Sequence, residues 1–252
     1  WLGRSSGGVA RIRAGGNGGD GAVRIFGIAD GLPSATVTAL AEDEGGTVWA
    51  GTYGGGLARF EGGRFRVPFD RRRLADPSVY ALLAARGGGL WIGTGGGGLH
   101  RLTADPGGHR EHLETWTVAD GLPGGFVQAL LEEPRGALWI GTNEGLARLE
   151  GGRLAAWTTA DGLPDRSVLA LHQEPAGALW IGTAGGGLSQ FADGRFATVQ
   201  VCEGLAEDMV GRLLPDRSGR LWMCGNRGLS AVVVSEVEEL FAGRRERIVP
   251  LT

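Results

Sequence analysis

The segment Leu90-Trp91-Ile92-Gly93-Thr94 (LWIGT) decides the fold of this chain, because it repeats. Adjacent copies are 41 to 48 residues apart, with a mean of about 44. This spacing is typical of the four-stranded blade of a β-propeller and exceeds the period of ankyrin or leucine-rich repeats. We therefore expect one blade-like unit repeated along the chain. Copies and variants lie at residues 48–52, 90–94, 138–142, 179–183 and 221–225, with a truncated copy at 1–3.

Each repeat divides into four short strands separated by glycine-containing turns. In the second repeat, alternating apolar residues and turn glycines predict strands A to D at residues 37–42, 48–52, 56–60 and 64–67. The repeat tryptophans share one register, which indicates a core position between neighbouring blades. We interpret all six as core residues, at positions 1, 49, 91, 139, 180 and 222.

A second motif, Asp30-Gly31-Leu32-Pro33 (DGLP), leads the chain into the next repeat. It recurs at residues 120–123 and 161–164, with the variant EGLA at 203–206. In all four copies its first residue precedes the next repeat tryptophan by 19 positions. The third repeat instead has Arg72-Arg73-Leu74-Ala75 and keeps only the leucine. The motif is therefore predicted to connect strand D of one blade to strand A of the next.

The composition favours a folded chain that is rich in turns. Gly accounts for 49 of 252 residues, which is compatible with disorder, collagen or dense turns. A hydrophobic content of 42% and a net charge of only -3 exclude disorder, and the lack of a Gly-X-Y period excludes collagen. The near-neutral charge gives no basic patch for nucleic acid or an anionic membrane surface. No apolar run approaches the roughly 18 residues of a transmembrane helix.

These observations predict an all-β fold, a β-propeller of four-stranded blades with six repeats visible. The first repeat lacks strand A and the last ends early, so we expect residues 1–252 to be a single domain and a fragment of a larger propeller. Residues 235–243 are predicted as one short C-terminal helix inserted in the last blade, with Ser235 as N-cap and Glu238 at the capping-box position. Residues 248–251 are predicted to resume as a strand.

The combination of DGLP, D-x-x-G-x-LWIGT, GGL-x-R and G-x-F resembles the two-component regulator propeller repeat. The resemblance covers essentially the whole chain and rests on a motif seen five or six times. It implies part of a seven-bladed or tandem propeller, placed periplasmically or otherwise extracytoplasmically, that senses sugars or polysaccharide fragments for a bacterial hybrid histidine kinase. The implied partners are a small polar ligand such as an oligosaccharide, and other propeller or kinase domains of the same protein. A homodimer formed through those other parts is left open.

The candidate ligand face combines the D-to-A loops with the B-to-C turns, which emerge at the same end of a four-stranded meander. Function in repeat folds is expected where repeats differ, because shared positions are used to pack the core. Aromatic and polar residues at such positions suit a carbohydrate, which is bound by stacking and by neutral hydrogen bonds. The predicted ligand-binding residues are Tyr53, Asp76, Ser78, Tyr80, Phe126, Gln128, Asn143, Glu144, Arg166, Asp208, Asn226 and Arg227.

The sequence predicts no enzyme, cofactor or metal site. H-E-x-x-H, G-x-S-x-G and P-loop patterns are absent, and the glycine runs at 15–19 and 95–98 open no helix that would bind phosphate, so they are interpreted as turns. His109 and His112, in one charged loop, form an isolated H-x-x-H without patterned carboxylates or cysteines. Cys202 and Cys224 fall in different repeat registers and are interpreted as buried free thiols.

Two alternatives to a sensor are left open. The pattern D-x-x-G-x-x-W resembles the Asp-box turn of sialidases, and LWIGT resembles the repeats of streptogramin lyases, so a propeller enzyme is the second hypothesis. Arg166, Arg227, Glu144 and Asp208 would be its candidate catalytic groups. A protein-interaction scaffold is the third hypothesis.

Overall fold

The computed structural model describes residues 1–13, 22–105, 111–175 and 177–251. Its strands form six antiparallel sheets, and in each sheet neighbouring strands follow one another along the chain. This up-and-down order is that of propeller blades, here numbered 1 to 6. The chain divides into two compact units, unit 1 (Trp1–Asp120 with Gly125–Val127) and unit 2 (Gly121–Gly124 with Gln128–Thr252).

Unit 1 contains blades 1 to 3. Blade 1 has three described strands, in the positions of strands B, C and D, as the truncated first repeat predicts. Blades 2 and 3 have all four. The strands are β1 Leu2–Gly3, β2 Val9–Ile12 and β3 Val23–Phe26 in blade 1; β4 Val37–Glu42, β5 Val48–Thr52, β6 Gly56–Glu61 and β7 Arg64–Arg66 in blade 2; and β8 Val79–Ala84, β9 Leu90–Thr94, β10 Leu99–Ala104 and β11 Glu111–Trp116 in blade 3.

Unit 2 is described by the sheets of blades 4 to 6 and by helix α1, Val234–Phe241. Blades 4 and 5 have four strands, and blade 6 has three. The strands are β12 Val127–Glu132, β13 Leu138–Thr142, β14 Leu146–Glu150 and β15 Arg153–Trp157 in blade 4; β16 Val168–Gln173, β17 Leu179–Thr183, β18 Leu188–Ala192 and β19 Arg195–Val199 in blade 5; and β20 Arg212–Pro215, β21 Arg220–Gly225 and β22 Gly228–Val233 in blade 6.

The repeated LWIGT segment forms strand B, and all five of its residues are buried in blades 3, 4 and 5. Its glycine lets two strands approach closely: a Cβ on Gly93 would lie 2.6 Å from Cγ1 of Val127 within unit 1. The core prediction is confirmed for the tryptophans of blades 2 to 5, which are at most 8% exposed. It is wrong for Trp1, which is 36% exposed, and Trp222 is only half-buried.

The DGLP motif closes a single 3-10 turn whose carboxylate caps its own first turn. Asp161 Oδ2 accepts a hydrogen bond from the backbone N–H of Thr158, at 2.8 Å, and Asp30 does the same for Gly27. Gly31 follows with φ 97°, and a Cβ there would lie 2.1 Å from the carbonyl oxygen of Phe65, so only glycine fits. The recurring acid, glycine and leucine thus shape the connection, and Leu32 is buried.

The C-terminal segment differs in detail from the prediction. Helix α1 begins at Val234, and the expected Ser235 cap is wrong: Val233 is the N-cap, and no side chain caps the helix. The reason is that β22 runs directly into the helix, and the N–H of Val234 is bonded to the carbonyl of Gly219 at 3.0 Å. The expected strand at 248–251 is reduced to one antiparallel bridge between Ala231 and Leu251.

Helix α1 packs on the core of unit 2 through Val237, which is fully buried, and through Phe241, whose ring stacks on Trp180 at 6.2 Å. It has eight residues. None of the helices in the described ranges is long and apolar enough to cross a lipid bilayer.

Candidate functional site

Three aromatic rings form a row where the D-to-A loops and B-to-C turns of unit 1 meet. Tyr53 follows strand B of blade 2, Tyr80 is the second residue of β8, and Phe126 immediately precedes β12. The ring centroids of Tyr53 and Tyr80 are 6.5 Å apart, edge to face, and those of Tyr80 and Phe126 are 4.6 Å apart. Tyr53 is 58% exposed, so the row, here called the aromatic row, is partly open to solvent.

Asp76 and Ser78 lie in the loop that leads into β8, just before Tyr80. Asp76 Oδ1 accepts a hydrogen bond from the N–H of Ser78 at 2.7 Å, and the hydroxyl of Ser78 accepts one from Gly54 at 3.3 Å. The glycine run after LWIGT passes next to them: a Cβ on Gly95 would lie 3.0 Å from the Tyr80 ring and 3.1 Å from Asp76 Oδ2. This run is a turn in the structure, as predicted, whereas the run at 15–19 lies outside the described residues.

The electrostatics of the aromatic row keep the Tyr80 phenol neutral. Burial raises the pKa of Tyr80, and the nearby Tyr53 and Asp76 raise it further because each would carry a like negative charge. Tyr80 therefore keeps its proton at neutral pH and presents a hydroxyl that both donates and accepts. Five predicted site residues, those of unit 1, are brought together here: Tyr53, Asp76, Ser78, Tyr80 and Phe126.

In unit 2 the predicted site residues are polar, and three of them bond to one another. Arg166 donates to Glu144 Oε1 at 3.2 Å, and the Glu144 carboxylate also accepts from the side chain of Asn143 at 3.4 Å. The hydroxyl of Ser167 donates to Gln128 Oε1 at 3.0 Å. These contacts link the loops of blades 4 and 5 and use the groups that a ligand would otherwise engage.

The blade 6 candidates are held in the same way. Glu207 accepts hydrogen bonds from the backbone N–H groups of Asn226 and Arg227, at 3.0 and 2.9 Å. Asp208 Oδ1 accepts one from the N–H of Val201 at 2.8 Å. Gln128 lies in strand β12, the other six candidates of unit 2 lie in loops or turns, and none of the seven is aromatic: Gln128, Asn143, Glu144, Arg166, Asp208, Asn226 and Arg227.

Sequence reasoning missed residues that shape these loops. Glu207 was left out, although its bonds to two successive backbone N–H groups order the blade 6 turn. Arg71 was also left out, and its guanidinium donates to the carbonyl of Gly54, next to Tyr53, at 2.9 Å. The only sequence signal for Arg71 is the irregular 70–75 connection, where a basic run replaces DGLP.

A second set of polar side chains lies at the A-to-B turns, at the strand ends opposite the D-to-A loops. The D-x-x-G-x-x-W pattern in the sequence indicates part of this set. In four blades an acid six residues before the repeat tryptophan accepts a hydrogen bond from its indole N–H; we call this the acid–tryptophan pair. A groove of about 380 Å³ in unit 2 is lined by one such pair, Glu133 and Trp139, together with Arg148. The pairs are Asp43–Trp49 at 2.7 Å, Glu133–Trp139 at 2.6 Å, Glu174–Trp180 at 3.2 Å and Asp216–Trp222 at 2.9 Å.

The histidines and cysteines give no metal centre within the described residues, where no group of three metal-ligating side chains occurs. His109 lies outside those residues, and His112, expected in a loop, is in strand β11 opposite Thr103. Both cysteines are free, but the prediction that they are buried is wrong, since Cys202 and Cys224 are exposed. Cys224 replaces the glycine of LWIGT; in blade 5 the same position is pressed against Val210 and admits no side chain.

Comparison with known proteins supports the resemblance seen in the repeats. Residues 31–54 and 121–144 match the model of the family described as two component regulator propeller. These two segments are therefore similar to repeats of that type. A comparison with curated proteins gave no significant match.

Solved structures show the same fold. The extracellular domain assigned to a hybrid two-component system of B. thetaiotaomicron is 20% identical, with a TM-score of 0.72 over 92% of this chain and 33% of that one. A second such domain from B. thetaiotaomicron is 21% identical, with a TM-score of 0.63 over 77% and 27% of the two chains. A virginiamycin B lyase from Staphylococcus aureus is 15% identical, with a TM-score of 0.63 over 84% and 70%.

The β-propeller fold class is thus confirmed. This chain spans about a third of the length of the first of these extracellular domains.

Proposed function

We propose that this chain is the ligand-sensing part of an extracytoplasmic, periplasmic two-component sensor and that its aromatic row binds a carbohydrate. The repeat type and the likeness to extracellular sensor domains support the signalling role. The observation that supports the ligand class is the aromatic row itself, in which the ring of Tyr80 contacts both Tyr53 and Phe126.

The chemistry of the row fits a neutral sugar. The apolar C–H face of a pyranose packs on an aromatic ring, while its hydroxyls need donors and acceptors around the rim. The phenols of Tyr53 and Tyr80 supply both functions, and the Asp76 carboxylate adds an acceptor beside them. In unit 2, by contrast, the charged candidates Glu144 and Arg166 already bind each other, so they offer fewer groups to a ligand.

The signal would pass from this site to other propeller or kinase domains of the same protein. Ligand that binds one arrangement of the loops more tightly shifts the population toward that arrangement, and attached domains read the shift. The phosphotransfer chemistry belongs to those domains.

Calorimetric titration with a panel of neutral and acidic oligosaccharides tests the proposal. We expect Tyr80→Ala to weaken the best ligand by about two- to tenfold, since one aromatic contact contributes roughly 0.5–1.5 kcal/mol. Arg166→Gln is the matched control from unit 2 and should change the affinity by less than about twofold. A folded chain that binds no saccharide of the panel contradicts the ligand class, and an Arg166→Gln loss larger than that of Tyr80→Ala contradicts the site.

A propeller enzyme is the second candidate, because virginiamycin B lyase shares the fold. Two of its candidate catalytic groups, Glu144 and Arg166, form an ion pair with each other at 3.2 Å. A screen for hydrolysis of sialosides and for elimination on uronate-containing glycans separates the candidates: turnover favours the enzyme, and binding without turnover favours the sensor.

A further inference from the structure

Blade 3 departs from the other blades at one position of the acid–tryptophan pair. The residue six positions before the repeat tryptophan is acidic in blades 2, 4, 5 and 6, and it is Ala85 in blade 3. The partner of the missing acid, Trp91, is kept and is only 4% exposed.

The backbone of the blade 3 turn has the hydrogen bonds of a turn that holds an acid. The N–H of Ala85 donates to the carbonyl of Gly89 at 3.1 Å, and the N–H of Gly88 donates to the carbonyl of Ala85 at 3.0 Å. In blade 4, Glu133 makes the same two bonds, to Ala137 at 2.7 Å and from Gly136 at 2.9 Å. Ala85 therefore occupies the place of Glu133 and lacks only the side chain beyond Cβ.

The tryptophan and arginine that would bind an acid at the position of Ala85 are also present in blade 3. Arg101 lies opposite Trp91 in the sheet, as Arg148 lies opposite Trp139 in blade 4. The guanidinium carbon of Arg101 is 5.1 Å from the centroid of the Trp91 ring, and that of Arg148 is 5.6 Å from Trp139. The two arginines thus lie over their tryptophans in the same manner.

In blade 4 these donors converge on one carboxylate. Glu133 Oε1 accepts from Trp139 Nε1 at 2.6 Å and from Arg148 Nε at 2.9 Å, while Oε2 accepts from Arg148 Nη2 at 2.9 Å. In blade 3, Trp91 Nε1 and Arg101 Nε are buried, and neither has a hydrogen-bond partner among the described residues. Buried donors without partners are rare and unfavourable, which points to an acceptor that comes from elsewhere.

We propose that blade 3 binds the carboxylate group of a small molecule in the place that the Glu133 carboxylate occupies in blade 4. Trp91 Nε1 would donate to one carboxylate oxygen, and the Arg101 guanidinium would bind both oxygens. The site lies at the A-to-B turn, at the strand ends opposite the aromatic row, and is independent of the proposed carbohydrate site.

A carboxylate fits this place better than a phosphate or sulfate. The fork of an arginine matches two coplanar oxygens, and the indole adds a single donor at the edge of that plane. Further donors are available in the turn: Asp43 Oδ1 in blade 2 accepts from the N–H groups of Gly45 and Thr47, at 3.0 and 2.9 Å, and the matching residues in blade 3 are Gly87 and Gly89. Ala85 and the two donor atoms are buried, so a ligand would reach them by displacing the half-buried side chain of Arg101.

The indole N–H signals in a ¹H–¹⁵N spectrum of the full chain test the proposal with sodium acetate as the probe. The Trp91 signal is assigned by its disappearance in Trp91→Phe. We expect that signal to shift progressively and saturably in acetate, and to stay in place in sodium chloride or sodium sulfate at matched ionic strength.

Three variants place the effect in blade 3. Ala85→Asp supplies the acid from the chain itself, so the thermal midpoint should rise without acetate, and the acetate shift of Trp91 should vanish. Arg101→Gln introduces the residue type that blade 5 has at the equivalent position, where Gln190 lies opposite Trp180. The acetate shift of the Trp91 signal should also vanish in this variant. Glu133→Ala copies the blade 3 arrangement into blade 4 and should make Trp139 responsive to acetate.

A Trp91 signal that moves no more in acetate than in chloride overturns the proposal. So does an undiminished acetate shift in a folded Arg101→Gln protein, because the response would then not depend on the arginine. Should Ala85→Asp fail to fold, the Arg101→Gln result decides alone.

Discussion

Blades 3 and 4 share the LWIGT strand and the arginine opposite its tryptophan, yet they differ in whether these polar side chains have a hydrogen-bond acceptor. In blade 4 the indole of Trp139 and the guanidinium of Arg148 meet Glu133. Among the described residues, four buried side-chain polar atoms have no hydrogen bond, and three of them belong to blade 3: Trp91 Nε1, His100 Nε2 and Arg101 Nε. The fourth, Arg59 Nε, lies 3.4 Å from the carboxylate of Glu61.

This difference teaches that the repeat constrains backbone and core more strongly than it constrains hydrogen-bond partners. The strand register is the same in both blades because the glycine and the aliphatic residues of LWIGT must fit between strands. The position six residues before the repeat tryptophan is not constrained in this way, and it holds Ala85 in blade 3 and Glu133 in blade 4. The blades therefore differ in whether the tryptophan and arginine have a carboxylate to bind.

The largest expected effect concerns His100 of blade 3, whose burial lowers its pKa to about 4. The pKa of this histidine in the unfolded chain is near 6.5, so between pH 6.5 and 4 the imidazole is protonated in the unfolded chain but not in the folded chain. The stability contributed by the neutral imidazole is complete above pH 6.5 and falls by about 3 kcal/mol as the pH drops to 4. Urea unfolding across this range should show the loss.

A substitution copied from blade 5 isolates this effect. His100 Nδ1 lies 2.9 Å from the Thr115 hydroxyl, and blade 5 has Ser189 bonded to Thr198 at 2.7 Å in the same register. His100→Ser should flatten the dependence of stability on pH, whatever it does to stability at pH 7. His112→Gln, at an exposed position, should leave the dependence unchanged. An equal slope in wild type and His100→Ser contradicts the assignment.

The second effect concerns the acid of blade 4. Glu133→Ala removes three hydrogen bonds, two of them to Arg148, whose guanidinium holds the pKa of Glu133 below its usual range. Arg148 keeps Glu150 as a partner at 2.7 Å and is partly solvated, so we expect a loss of about 2 kcal/mol in the free energy of unfolding. Glu150→Ala, at an exposed position, should lose less than about 0.5 kcal/mol. Equal losses in urea unfolding would show that the acid–tryptophan pair contributes nothing of its own.

The sequence predicted the features that backbone geometry dictates. Strands β4 and β5 of blade 2 have the predicted bounds, because the alternation of apolar residues and the turn glycines leave one register. The start of α1 was missed, since its first N–H is bonded by Gly219, which is distant in sequence and invisible to a capping pattern. The exposure of Cys224 was missed for a similar reason: it depends on what packs against the strand.

The candidate site was predicted in position more than in chemistry. The sequence identified the residues that vary between repeats, but it predicted Tyr80 and Arg166 equally as ligand-binding residues. The structure separates them, because Tyr80 contacts two other rings while Arg166 is bonded to Glu144. Contacts between loops of different blades are set by tertiary structure, and a repeat alignment carries no record of them.

The smallest expected effect compares the two tryptophans directly. Trp91→Phe and Trp139→Phe each lose part of a ring that contacts a second tryptophan, Trp116 at 5.6 Å or Trp157 at 5.4 Å, and that lies under an arginine. The loss of apolar contact is therefore similar in the two variants. Trp139→Phe also breaks the hydrogen bond to Glu133, whereas Trp91→Phe removes a buried N–H that has no partner among the described residues.

We therefore expect Trp139→Phe to destabilise the protein by about 1 kcal/mol more than Trp91→Phe in urea unfolding without added carboxylate. The difference between the variants, rather than either value alone, measures the hydrogen bond, because core packing changes in parallel. Adding acetate should narrow the gap, since Trp91 would then have a bond to lose. Equal destabilisation of the two variants in its absence would mean that Trp91 is already as well bonded as Trp139.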